Sequence, residues 1–130
     1  MRRWLPFLIL LLGACDAAGP GFRGIPGIER EYDGSRFTLR HNGDVVEAIR
    51  TSPEWLPKFP DVSAKAAHLA HMETGCDPVW VDGDESMMRV GLKCEGRKAP
   101  KRPRKRRTIF CEIGDLWQSG ESISGYMTCG

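Results

Sequence analysis

Apolar and polar side chains alternate on both sides of the dipeptide Asn42-Gly43. A period of two is typical of a strand that buries one face, and Asn-Gly favours the two-residue turn of a β-hairpin. With this dipeptide as the turn, Leu39 lies opposite Val46 and Phe37 lies opposite Ala48, all on one face. The pattern therefore predicts a hairpin with a single apolar face.

A second alternating stretch covers residues 78–94. If Cys76 and Cys94 face each other across a hairpin, Trp80 lies opposite Val90 on the apolar face. The same register gives the other face to polar side chains. Residues 78–94 are therefore predicted to form a second hairpin closed by a cysteine pair.

The last stretch, residues 109–129, repeats this arrangement. Setting Cys111 opposite Cys129 gathers the apolar side chains on one face, in the cross-strand pairs Ile113–Met127 and Trp117–Ile123. Two independent registers thus place cysteine pairs on an apolar face. We therefore predict the bridges Cys76–Cys94 and Cys111–Cys129 over the other two connectivities.

Residues 61–74 read as a helix, with Asp61 as the N-cap and Gly75 as the stop. Before it, residues 52–60 contain three prolines, and we expect Trp55, Leu56 and Phe59 to cover one end of the core. Three hairpins and one helix predict the α+β class: a small antiparallel sheet, stapled by disulfides, with the helix packed on it.

The N-terminus has the layout of an export signal: Arg2 and Arg3 precede an apolar run from Trp4 to Leu12. That run is about half the roughly 20 residues that a transmembrane helix needs, and it fits a secretory signal peptide. Residues 12–15, Leu-Gly-Ala-Cys, resemble the lipobox of bacterial lipoprotein precursors. This resemblance covers the signal only, and it implies cleavage after residue 14 and a lipid on Cys15. Cleavage after Ala17 or Gly19 is the alternative.

The cysteine count agrees with that resemblance. The chain has five cysteines, and setting aside Cys15 leaves an even number in a compartment where disulfides persist. Residues 19–28 hold four glycines and two prolines, which favours a flexible tether. The predicted organisation is a signal peptide at 1–14, a lipid anchor and tether at 15–34, and one domain at 35–130.

Residues 97–107 form a basic run in which eight of eleven side chains are Lys or Arg. From Cys15 onward, nine other basic residues meet 17 acidic ones, so the rest of the domain carries about −8 although the whole chain is +2. Two prolines disfavour a regular element here, and we expect an exposed loop. Its candidate contacts with anionic phospholipid, lipopolysaccharide or an acidic protein partner are Lys101, Arg102, Arg104, Lys105, Arg106 and Arg107. The alternative is a solvated loop that balances the acidic body and binds nothing specific. The export signal argues against nucleic acid as the partner.

Catalytic and metal motifs are weak. His68 and His71 are three apart on the predicted helix, a spacing that metal ligands use, but no third ligand is evident. We therefore expect no catalytic residues, metal or cofactor. The protein is predicted to be an envelope lipoprotein with a structural or partner-binding role, anchored in the membrane and facing the periplasm. In enteric lipoproteins, an Asp directly after the lipid cysteine, as at Asp16, implies retention at the inner membrane. This rule does not hold in all bacteria, so the choice of membrane stays open here. The alternative is a small metal-binding or enzymatic accessory protein that uses the two histidines.

Overall fold

The computed structural model describes residues 17–104, 109–119 and 122–130, with the backbone alone at Ser122. These residues form, in chain order, β1 (Ile28–Tyr32), β2 (Ser35–Asn42), β3 (Val45–Arg50), α1 (Phe59–Thr74), β4 (Asp77–Gly83), β5 (Met87–Lys93), β6 (Ile109–Ser119) and β7 (Ser122–Cys129). All strands belong to one antiparallel sheet in the order β1-β2-β3-β5-β4-β6-β7. The predicted antiparallel sheet with one helix and two disulfides is confirmed, although the sheet contains one strand more than three hairpins supply.

The helix packs on one face of the sheet, here called the helix face, and the opposite one is the second face. The core lies between helix and sheet, and its largest fully buried apolar side chains are Phe37, Phe59, Met88, Leu92, Val46, Val62, Val81 and Val90. Both disulfides, Cys76–Cys94 and Cys111–Cys129, are formed as predicted and adjoin this core. They therefore staple the sheet from its buried side.

The helix begins two residues earlier than Asp61, with Lys58 at the N-cap and a proline in the first turn. Proline suits that position because the first N–H groups of a helix have no intrahelical partner. Gly75 ends the helix as predicted: its φ is 71°, and its N–H donates to the His71 carbonyl at 2.7 Å. The prediction that Trp55 and Leu56 cover the core is wrong, since they are 91% and 76% exposed.

Strand β1 corrects the predicted tether, which extended to residue 34. The dipeptide Asp33-Gly34 has positive φ at both positions, 47° and 78°, and joins β1 to β2 as a two-residue turn. This is the conformation that a type I′ hairpin turn requires. On the helix face, the Tyr32 ring stacks on His68 with centroids 4.0 Å apart. Residues 28–34 are therefore part of the domain.

The β2–β3 hairpin has the predicted faces in a different register. Leu39 pairs with Ala48 rather than Val46, because the turn is Gly43-Asp44. Gly43 has φ 60°, whereas Asp44 has no positive φ, which fits a turn with glycine at its first central position. A shift of two residues preserves which side chains face the core.

A bulge between Pro78 and Trp80 changes the β4–β5 hairpin. The predicted register holds at Pro78, but beyond the bulge Val81, not Trp80, lies opposite Val90. One extra residue moves every following side chain to the other face. Trp80 consequently lies on the second face, where its indole covers Gly91.

A second bulge interrupts the β6–β7 hairpin between Gly114 and Trp117. Ile113 pairs with Met127 as predicted, but Ile123 lies opposite Gln118 rather than Trp117. Asp115, inside the bulge, has φ 48°. Trp117 therefore joins the second face, and the prediction that it shares a face with Ile113 is wrong.

Candidate functional site

Four charged side chains form a row across the second face, on neighbouring strands. Arg40 of β2 pairs with Glu47 of β3, Glu47 with Arg89 of β5, and Arg89 with Asp82 of β4. The signs alternate along the row, with Arg40 Nη1 3.6 Å from Glu47 Oε1 and Arg89 Nη2 2.8 Å from Asp82 Oδ2. Both carboxylates are buried, so each is compensated by a neighbouring guanidinium, as buried charges require.

The N-terminal segment, residues 17–27, packs on this row. The Gly19 N–H donates to Glu47 Oε2 at 2.8 Å, and Arg40 Nε donates to the Ile25 carbonyl at 3.2 Å. Phe22 is 5% exposed. The segment is therefore fixed to the second face from residue 19 onward, which again contradicts a flexible tether there.

The described part of the basic run, residues 97–104 and here called the basic segment, also lies on the second face. Trp80 Nε1 donates to the Pro100 carbonyl at 3.1 Å. The Arg102 guanidinium forms an ion pair with Glu112 and lies 4.7 Å from the centre of the Phe110 ring. These contacts hold the segment against β4 and β6, and within residues 97–104 it is the exposed loop that was predicted.

The predicted anion-contacting residues have separate positions. Lys101, Arg102 and Arg104 are all exposed, and of these three Arg102 pairs with Glu112 and Phe110 as described above. Lys105, Arg106 and Arg107 lie outside the described residues. A cavity of about 300 Å³ separates the basic segment from the N-terminal segment, and its lining includes Phe22, Trp80, Arg89, Lys101 and Pro103. The two segments thus flank one cavity on one face, with two cationic side chains in its wall.

The two histidines of the alternative hypothesis have different neighbours. His68 stacks on Tyr32, whereas His71 Nδ1 lies 2.9 Å from the Cys76 carbonyl and 3.8 Å from Asp77 Oδ1. Burial, and secondarily the charge of His71, lowers the pKa of His68. Over the described ranges, no three His, Cys, Asp or Glu side chains are placed to share a metal ion.

Residue Cys15, the predicted lipid carrier, precedes the described part of the chain, as does the predicted signal peptide. In the part of the chain that the structure describes, no helix is both long enough and apolar enough to cross a bilayer. Comparisons with protein-family models, with curated proteins and with solved structures find no match to this chain. The second face is therefore assigned as the candidate site from its contacts and charges alone.

The sequence reasoning found the basic run but missed the surface to which it belongs. The dipeptide Asp33-Gly34 is sufficient to predict β1 from the sequence, because Asp-Gly between alternating stretches favours a hairpin. The attachment of residues 19–25 had no such signal, since it depends on the carboxylate of Glu47 from a distant strand.

Proposed function

We propose that this protein is a lipid-anchored component of the bacterial cell envelope, with a structural or partner-binding role and its second face turned toward the membrane. The observation that carries the proposal is the position of the N-terminal segment, which is fixed on the second face through Gly19 and Glu47. The proposed lipid carrier, Cys15, lies four residues before Gly19.

The length of chain between them limits the orientation of the domain. An extended chain spans about 3.3–3.6 Å per residue, so Cys15 lies at most about 14 Å from Gly19. A lipid on Cys15 would hold the second face near the headgroups. The long tether expected from the Gly-rich composition is replaced by a short connection, because its glycines lie within the packed segment.

The basic segment lies on this same face, and we propose anionic phospholipid as its partner. Each well-placed Lys or Arg near an anionic leaflet contributes about 1 kcal/mol. Lys101 and Arg104 are exposed and available for such contacts. The attraction is screened over about 8 Å at physiological ionic strength, so it requires the close approach that the short connection to Cys15 provides.

The anchor is tested by metabolic labelling of the full chain with radioactive palmitate. We expect the wild type to be labelled and Cys15→Ser to remain unlabelled as the uncleaved precursor. Ala17→Ser is the matched control, since it changes a nearby residue outside the lipobox and should retain the label. Equal labelling of the Cys15→Ser variant contradicts the lipid anchor.

The basic contact is tested by limited trypsin digestion of the full chain reconstituted in vesicles. We expect cleavage within residues 97–107 to be slower on anionic than on neutral vesicles, and salt to remove the difference. Cleavage after the exposed Lys58, in the segment that leads to the helix, is the internal control. Equal cleavage rates in the basic run on both vesicle types contradict phospholipid as its partner; protection by an added acidic protein alone would indicate a protein partner.

A further inference from the structure

Two large aromatic side chains are exposed side by side on the second face. Trp117 of β6 is 51% exposed and Tyr126 of β7 is 68% exposed. Their rings meet edge to face, with centroids 6.0 Å apart. The bulge after Gly114 creates this pair, because an uninterrupted register would turn Trp117 toward the helix face.

The aromatic pair and the basic segment share this face. Glu112, which pairs with Arg102, lies on β6 two residues before Gly114, and Gly114 is the cross-strand partner of Tyr126. Residues two apart on a strand point to the same side of a sheet. The cationic and aromatic side chains are therefore neighbours on one surface.

Composition indicates what kind of surface covers the pair. Trp and Tyr each combine an apolar ring with a polar N–H or O–H, and they concentrate where a bilayer meets water. Lys and Arg beside them match the charge of anionic headgroups. An acidic peptide would satisfy the cations, but the apolar rings fit a medium that is apolar on one side and wet on the other.

We propose that Trp117 and Tyr126 insert into the headgroup layer of an anionic bilayer beside the basic segment. The inference rests on the membrane-facing orientation proposed above and adds a second kind of contact to it. The basic segment supplies attraction from a distance, and the aromatic pair fixes the depth and tilt of the domain. Insertion buries apolar ring surface, so its contribution persists at salt concentrations that screen the basic contact.

The test uses the full chain reconstituted in vesicles that contain brominated anionic phospholipid, which quenches tryptophan fluorescence at short range. Trp117→Phe is compared with Trp55→Phe, a matched substitution of another exposed tryptophan, in the segment between β3 and α1. Trp80 is common to both variants, so its contribution cancels in the comparison, and Trp4 lies in the signal peptide that the proposed cleavage removes. We expect Trp117→Phe to lose most of the quenching attributable to exposed tryptophan and Trp55→Phe to retain it.

Further outcomes separate this inference from the proposed function. Equal quenching of the two variants overturns the insertion of Trp117. If the basic run is protected from trypsin while Trp117 is unquenched, the membrane orientation stands and the inference fails. Quenching of Trp117 in a chain that takes no palmitate supports the inference and contradicts the anchor. Shielding of Trp117 from acrylamide that rises with protein concentration, without quenching by lipid, assigns the surface to a second copy of the chain and overturns insertion.

Discussion

Replacing Gly91 by alanine tests how the bulge in β4 arranges the second face. The Trp80 indole lies where a Cβ on Gly91 would be, with ring atoms inside the space that the methyl group needs. The ring cannot simply withdraw, because its Nε1 donates to the Pro100 carbonyl at 3.1 Å and only 5% of the residue is exposed. The added methyl group must therefore displace the indole or the strand.

The expected loss of stability follows from three contributions. Overpacking costs about 1–3 kcal/mol, and loss of the indole hydrogen bond adds about 1 kcal/mol. Restriction of the unfolded chain by alanine returns about 0.4–1 kcal/mol. We expect the free energy of unfolding to fall by about 1–3.6 kcal/mol, measured by urea denaturation.

Gly114→Ala is the matched control, because a Cβ at this strand glycine meets no atom within 4 Å. It should leave stability unchanged or raise it by up to about 1 kcal/mol. A double-mutant cycle adds specificity: in a Trp80→Ala background the penalty of Gly91→Ala should disappear. A cost of Gly91→Ala no larger than that of Gly114→Ala, or equal in both backgrounds, would contradict a steric conflict between the added methyl group and Trp80.

Three further predictions concern stability. Replacing Cys76 and Cys94 together by alanine should lower the free energy of unfolding by about 2–5 kcal/mol, and an unchanged urea midpoint would contradict this. Glu47→Ala removes the buried carboxylate that lies beside Arg40 and accepts a hydrogen bond from the Gly19 N–H, and it should cost about 3–5 kcal/mol. Glu29→Ala, at an exposed position on β1, should change stability by less than about 0.5 kcal/mol in the same assay. Folding lowers the pKa of His68 from 6.5, so the unfolded chain binds this proton before the folded chain does as the pH falls. The contribution of His68 to the free energy of unfolding should therefore be fully present above pH 6.5 and decline below it until the pKa of the folded state is passed. Unfolding measured at several pH values should show this pH dependence in the wild type and not in His68→Gln.

The faces of the strands were predictable and the registers were only partly so. Alternation assigns Phe37 and Leu39 to the core because it depends only on period, and a shift of two residues does not change it. Bulges have no counterpart in that pattern, since one extra residue reverses the assignment locally. Trp80 and Trp117 were placed on the apolar face for this reason.

The site was less predictable than the fold because its parts are far apart along the chain. The basic run was evident from composition, but its attachment depends on Trp80, Phe110 and Glu112. Gly-rich sequence at residues 19–28 indicated flexibility, whereas two of its glycines, Gly19 and Gly27, let the chain lie close to the sheet. At Gly19, a Cβ would lie 2.6 Å from Glu47 Oε2. A glycine-rich composition fits both a flexible tether and a segment that packs closely on a sheet. Only the side chains that contact the segment, such as Glu47 at Gly19, distinguish the two.

The pairing of the cysteines also determines how oxidative folding can proceed. Each bridge joins two consecutive cysteines of the chain that lie 18 residues apart: Cys76 with Cys94, and Cys111 with Cys129. If a lipid occupies Cys15 as proposed, an oxidase that joins the other four cysteines in their order of emergence into an oxidising compartment would make both native pairs directly. Neither bridge spans the other, so the first can close before the second hairpin has been synthesised. Reshuffling of mispaired disulfides, which takes seconds to hours, would then not be required for the maturation of this chain.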